Sequence, residues 1–155
     1  MIRRARQEDW AAASALWRDA DELHASLAPA YFRASPHAEH EWKALLAAGE
    51  AATFVAAGER GDAGLDGFGV VRIHDTPPDP AMVPLRRGHV EILVVARAAR
   101  RRGLGRRLMT ELGAWARRQG AAELVLTVWA GNVEAEAFYE RLGYRVLSRA
   151  LRVPL

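Results

Sequence analysis

Apolar positions along this chain follow two rhythms, short β-branched runs and longer stretches with hydrophobic residues at helical spacing. Ile2 to Arg6 predicts a short strand. Glu8 and Asp9 then open a helix carrying Trp10, Ala13, Leu16, Trp17 and Leu23. His24 to Pro36, with two prolines and the pair Tyr31-Phe32, predicts an irregular connection, and His37 to Ala48 a second helix stopped by Gly49. Ala52 to Ala57 and Phe68 to Ile73 predict strands joined as a hairpin through the Gly- and Asp-rich stretch Gly58 to Gly67. Asp75 to Gly88 contains Pro77, Pro78, Pro80 and Pro84, so it predicts an exposed loop. His89 to Val95 is an apolar run of strand length. Leu104 to Gln119 then repeats Leu104, Leu108, Leu112 and Trp115 as a helical stripe, with Gly120 as a left-handed stop. Strand Glu123 to Val128, helix Val133 to Leu142 and strand Tyr144 to Arg149 follow, and Arg152 to Leu155 adds an extended piece. The order βααβββαβαβ implies an α/β (α+β) fold, a mixed sheet flanked by helices, in one domain over residues 1–155.

Composition narrows the chemistry. The 155 residues are 50% hydrophobic and 26% charged, enough for a core. With no cysteine, disulfides, Cys-ligated zinc and an acyl-cysteine intermediate are excluded, and a reducing compartment fits. The start MIRRARQEDW lacks the apolar stretch of a signal peptide and no run reaches spanning length, so a cytoplasmic protein without a membrane partner is expected. Lys43 is the sole lysine, so scattered arginines reflect a compositional preference.

The cluster at 100–107 does not. Arg100, Arg101, Arg102, Arg106 and Arg107 crowd a helix start, where the macrodipole is already positive and N–H groups lack partners. Each such charge costs a few tenths of a kcal/mol, roughly, unless an anion sits there. Gly103 and Gly105 let backbone N–H groups converge on that anion. Strand, basic Gly-rich turn and helix N-terminus together predict a phosphate cradle. No Gly-Lys-Ser/Thr exists for a Walker loop, and Leu108 stands where a dinucleotide fingerprint needs its third glycine.

Arg100-x-x-Gly103-x-Gly105 resembles the pyrophosphate-binding turn of the GNAT superfamily of acyl-CoA-dependent N-acyltransferases. A second stretch, Asn132-x-x-Ala135-x-x-Phe138-Tyr139-x-x-x-Gly143-Tyr144, resembles the C-terminal half of the same superfamily. Asn132 is also a sound N-cap, and Gly143 a helix stop. The resemblance covers roughly residues 52 to 149. It implies acetyl-CoA as the acyl donor, with no metal, and transfer to a primary amine by direct attack in a ternary complex. On it, Leu93, Val94, Val95, the run Arg100, Arg101, Arg102, Gly103, Leu104, Gly105 and Arg106, and Asn132, Ala135, Phe138 and Tyr139 contact the cofactor. The strand holding Leu93 to Val95 splays from the next, and a free N–H there polarises the thioester carbonyl.

Tyr139 is the candidate acid for the departing thiolate; by spacing alone it is a packing residue, and the resemblance gives it the catalytic role. Glu91, inside an apolar strand, is either a base of raised pKa or the partner of an arginine. The acceptor side is assigned to Glu22, His24, Tyr31, Phe32 and Trp129, with Asp19 and Asp21 read as carboxylates at the end of the first helix that hold a cationic amine. His37, His40 and Glu41 share a helix, but without histidine at 44 the zinc-protease pattern fails, so a solvated face is expected. His89 either lines the acceptor cleft or faces solvent. Two other readings remain: a non-catalytic acyl-CoA-binding regulator, and a nucleic-acid module, which lacks an aromatic or basic stripe beyond the cluster. Acetyl-CoA and an amine are thus the expected partners, nucleic acid is not, and a homodimer is compatible.

Overall fold

Five strands, β1 (Ile2–Arg4), β2 (Ala51–Ala57), β3 (Leu65–Asp75), β4 (Arg86–Val95) and β5 (Glu123–Val125), lie in that order in one sheet. The computed structural model describes residues 1–58 and 64–155. The first three pairings are antiparallel, and β5 joins β4 in parallel. Helices α1 (Trp10–Leu27), α2 (Glu39–Ala47), α3 (Leu104–Arg118) and α4 (Val133–Arg141) complete the chain, and no described helix is long and apolar enough to cross a membrane.

Period-two alternation divides the core into two layers. Phe54, Val71, Ile73 and Val90 pack with Leu104, Leu108, Met109, Leu112 and Ala116 of α3. Val55, Phe68, Val70 and Val94 pack on the other face with Ala13 and Leu16 of α1 and Trp42 of α2. Trp42 is fully buried, and its indole N–H donates to the Arg6 carbonyl at 3.0 Å, which satisfies the one polar atom it takes inside.

The mixed sheet matches the expectation, while several boundaries move. The first helix continues to Leu27 and absorbs His24; β3 and β4 extend toward each other and shorten the proline loop to 76–85. The expected hairpin forms as an antiparallel β2/β3 pair, with 59–63 of its turn outside the described residues. The helical stop at Gly120 has the left-handed φ of 83° expected of it. The strand expected over 144–149 does not form, so the observed order ends at α4. A strand exists only as one member of a ladder, and among the described residues none pairs with this segment.

Asp9 fixes the entry to α1. It is 7% exposed, accepts two bonds from the Arg3 guanidinium at 2.7 and 2.8 Å, and accepts the Arg6 N–H at 2.7 Å. The Arg3 hydrogen bond, against an opposing burial cost, holds the carboxyl below its ordinary value. A lowered folded pKa stabilises above the unfolded pKa of about 4 and is lost as pH falls through the folded one. Asp9→Asn is therefore expected to cost about 2–4 kcal/mol in urea unfolding at pH 7, with the gap to the parent protein closing as pH falls through the lowered pKa of Asp9.

Candidate active site

The turn between β4 and α3 is held at both ends by buried residues, Ala99 at 4% and Leu104 at 6% exposure, so the backbone between them stands out in solvent. Arg101 and Gly103 both have left-handed φ, 63° and 75°. For arginine that conformation costs about 1–2 kcal/mol, strain of the kind that collects in ligand-binding loops. Gly103 is the N-cap of α3 and brings no capping side chain, which leaves the first-turn N–H groups open beside exposed Arg100, Arg101, Arg102, Arg106 and Arg107. Arg100 donates to the Val95 carbonyl at 3.1 Å. Arg101 donates to Glu134 at 3.1 Å, and Arg100 lies 3.6 Å from the same carboxylate. Such exposed pairs contribute little and part at small cost.

Gly105 sets α4 against this turn. A Cβ there would lie 3.1 Å from the Phe138 ring, so glycine is what permits the ring to seat on α3. Asn132 caps α4 as expected, its Oδ1 accepting the Ala135 N–H at 3.2 Å. Ala135, Phe138 and Leu142 on α4 are only half-buried, because the helix lies at the margin of the core.

Strands β4 and β5 are paired only at Arg87–Glu123, Gly88–Leu124 and His89–Val125. Beyond His89 they part, and Leu93 and Val95 face the α3 layer while Val94 is buried in the other.

Tyr139 sits on α4 with its ring 5.1 Å from Phe138 and 5.6 Å from Tyr144. Burial, with a smaller contribution from Tyr144, pushes its hydroxyl up to about 12. Its hydroxyl makes no hydrogen bond with any described residue, so it remains a neutral donor available to a ligand.

Glu91 has the arginine partner that is one of its two expected readings, but not the expected burial. Val70 pairs with Ile92 but Val71 with Val90, which makes Glu91 the extra residue of a β-bulge. The burial expected for it does not occur. Its carboxylate is solvent-exposed and accepts two bonds from Arg72, at 2.7 and 3.3 Å, which raise the Arg72 pKa. The bulge inverts the strand's phase, so a residue within an apolar run emerges where α1 and α2 no longer cover the sheet. His74, His89 and Glu91 offer ligand atoms within 4.8 Å of one another on this patch. They could approach a divalent cation geometrically, but the Arg72 guanidinium already occupies the carboxylate. Arg72 and His74 escaped the sequence reading; their i,i+2 spacing at the end of an apolar strand was the available signal.

On the acceptor side the structure gathers four of the five expected residues. His24 stacks on Phe32 at 5.3 Å, Phe32 meets Trp129 edge-on at 4.7 Å, and Tyr31 lies 5.2 Å from Trp129. Arg152 stands over the Tyr31 ring at 5.4 Å, a contact the sequence gave no sign of. Glu22 is exposed and outside these contacts. Asp19, Asp21 and Glu22 are not at a helix end, since α1 runs on to Leu27. Asp21 is committed to His37, 2.6 Å away, and His37 also stacks on Trp17 at 3.9 Å, so that histidine is a packed residue and not part of a solvated face.

Residues 11–144 match the model of the acetyltransferase (GNAT) family. The chain belongs to that family. No protein of curated function matches its sequence. Among solved structures, a mutant BH1408 protein from Bacillus halodurans superposes with a TM-score of 0.93 at 24% identity, covering 100% of this chain and 99% of that one. A transcriptional regulator from Bacillus halodurans C-125 gives 0.75 at 21% identity, over 100% and 99%. The aminoglycoside N-acetyltransferase AAC(6')-Iy in complex with CoA gives 0.69 at 18%, over 100% and 98%. At these identities the likeness establishes a shared GNAT fold.

Proposed function

We propose that this GNAT protein transfers the acetyl group of acetyl-CoA to a primary amine by direct attack in a ternary complex. Three features support the reading: the open α3 N-terminus at Gly103, the end of the β4–β5 pairing at His89, and Tyr139 beside Phe138, the ring that lies against Gly105. The pyrophosphate takes the cradle, and the pantetheine arm enters between Leu93–Val95 and Asn132–Tyr139. A free β4 N–H polarises the thioester carbonyl. The amine nitrogen attacks the carbonyl carbon, the C–S bond breaks, and Tyr139 supports the departing sulfur. The ammonium proton leaves through Glu91, directly or by way of water, once the Arg72 clamp yields. No step requires a metal, a nucleic acid or a membrane, and a cytoplasmic setting suits the cysteine-free chain.

The aromatic cluster at His24, Tyr31, Phe32 and Trp129 supports a cationic acceptor, because ring faces attract ammonium groups. One neighbour is an aminoglycoside N-acetyltransferase, so aminoglycosides join polyamines, amino acids and peptide N-termini as candidates. Another is called a transcriptional regulator, which keeps the non-catalytic acyl-CoA-binding reading as the second one. Thiol release from acetyl-CoA, screened against these amines, separates the two. Turnover with cationic amines is expected. Silence with every acceptor while CoA still raises the melting temperature would favour the regulator, and absence of CoA binding would overturn both.

A further inference from the structure

Where α1 and α2 stop covering the sheet, the β3–β4 pair carries a group of side chains that the core does not use. Arg72 stands opposite His89, and His74 opposite Arg87, so period two puts all four on one face. Val71, Ile73 and Val90 take the other face, against α3. The bulge brings Glu91 to the side of the histidines. His74 and Glu91 are exposed and His89 is half-buried. The two imidazoles meet edge-on at 5.8 Å, and no described residue hydrogen-bonds to either. One ligand atom from each of His74, His89 and Glu91 lies within 4.8 Å of the other two.

We propose that His74, His89 and Glu91 bind one divalent transition-metal ion of the zinc class, and that the bound ion withdraws Glu91 from catalysis. The second half rests on the reading of Glu91 as the base. Two imidazoles and one carboxylate suit zinc and its neighbours, whereas magnesium and calcium call for oxygen ligands throughout. A tetrahedral ion with bonds of about 2.0–2.2 Å holds its ligand atoms roughly 3.3–3.5 Å apart. Rotation of the exposed His74 ring closes the present span to that value, and solvent fills the fourth position. Arg72 occupies the carboxylate without exhausting it. Its Nε donates to Oε1 at 2.7 Å and its NH2 to Oε2 at 3.3 Å, which leaves about two of four lone-pair sites open. The guanidinium then orients a ligating carboxylate from outside, as metal sites ordinarily require. Arg87, the other cation of this face, is neutralised by Glu123 at 2.7 Å. The charge of Arg72 still opposes a dication, so binding is moderate and reversible, as suits a regulatory ion. An ion seated on Glu91 takes the lone pair that would otherwise receive the ammonium proton.

Zinc chloride titrated by calorimetry into the whole protein should bind at one ion per chain with a roughly micromolar Kd. Cobalt(II) should fill the same site, give the visible absorption of a four-coordinate ion, and be displaced by zinc. His74→Ala removes an exposed ligand outside the proposed catalytic groups. It should weaken zinc about ten- to a hundredfold or more, with circular dichroism and basal thiol release unchanged. His74→Gln takes its place should the alanine variant misfold. His89→Ala should weaken binding likewise, while His40→Ala, on the exposed start of α2, should leave it intact. Absence of saturable binding, or binding that survives loss of His74 and of His89, would overturn the site. With an accepted amine, saturating zinc should slow the parent protein about tenfold or more and spare His74→Ala at the same concentration. Parental turnover indifferent to bound zinc would overturn the inhibition. Calorimetry and the cobalt spectrum need neither acetyl-CoA nor an amine, so failure of the metal site and failure of the acetyltransferase reading are told apart.

Discussion

Gly103→Val should lower CoA affinity by about a hundredfold or more, from the loss of two charge-assisted hydrogen bonds at roughly 1.5–3 kcal/mol each. Two features of the position combine. Its φ of 75° suits glycine, so a β-branched residue pushes the turn away from the geometry that aims the α3 N–H groups outward. No heavy atom lies within 4 Å of a Cβ built there, so the side chain meets no protein and projects into the space an incoming phosphate must use. The fold should survive with a melting temperature a few degrees lower, from strain of about 1–2 kcal/mol. Gly105→Val is the contrasting variant. It drives a side chain into Phe138, and its loss of binding would come with loss of the α3–α4 contact and of stability. Calorimetric titration of CoA into folded Gly103→Val protein is the measurement, and undiminished affinity would remove the phosphate from this turn.

The strand–turn–helix unit around Gly103 was legible in the sequence because its signals are local. An apolar strand, two glycines and a cluster of arginines adjoin one another within a single strand–turn–helix unit, and the structure places the left-handed residue and the helix start where the glycines predict. Asn132 and Gly120 were legible for the same reason, as a cap and a stop set by their own helices. For Glu91 an arginine partner was legible but its exposure was not, because its environment depends on the strand beside it. Only the pairing of Val70 with Ile92 and Val71 with Val90 reveals the bulge that turns the carboxylate outward to Arg72. The acids of α1 misled in a related way. Their placement at a helix end rested on where the helix stops, and the packing that carries α1 on to Leu27 is tertiary. The C-terminal strand failed for the most general reason: residue pattern marks a segment able to pair, and says nothing about whether a partner strand lies beside it.

Tyr139→Phe is expected to lower turnover about tenfold or more with the acetyl-CoA Michaelis constant nearly unchanged, since the hydroxyl acts on charge that develops only as the C–S bond breaks. Burial raises the hydroxyl to about 12. An ordinary thiol titrates near 8.5, so complete proton transfer from such a phenol to a thiolate is uphill by about 5 kcal/mol. In the proposed reaction the neutral hydroxyl would therefore act chiefly as a hydrogen-bond donor to the departing sulfur. The same shift yields a readout independent of catalysis. The folded protein holds this proton more tightly than the unfolded chain, so stability present below the unfolded value of about 10 is lost as pH rises toward the folded value. Tyr139→Phe should flatten the decline in unfolding free energy above pH 10, whatever the assay of activity shows. A variant that flattens this decline yet turns over at the parental rate would make Tyr139 a packing residue between Phe138 and Tyr144, and would leave protonation of the thiolate to water.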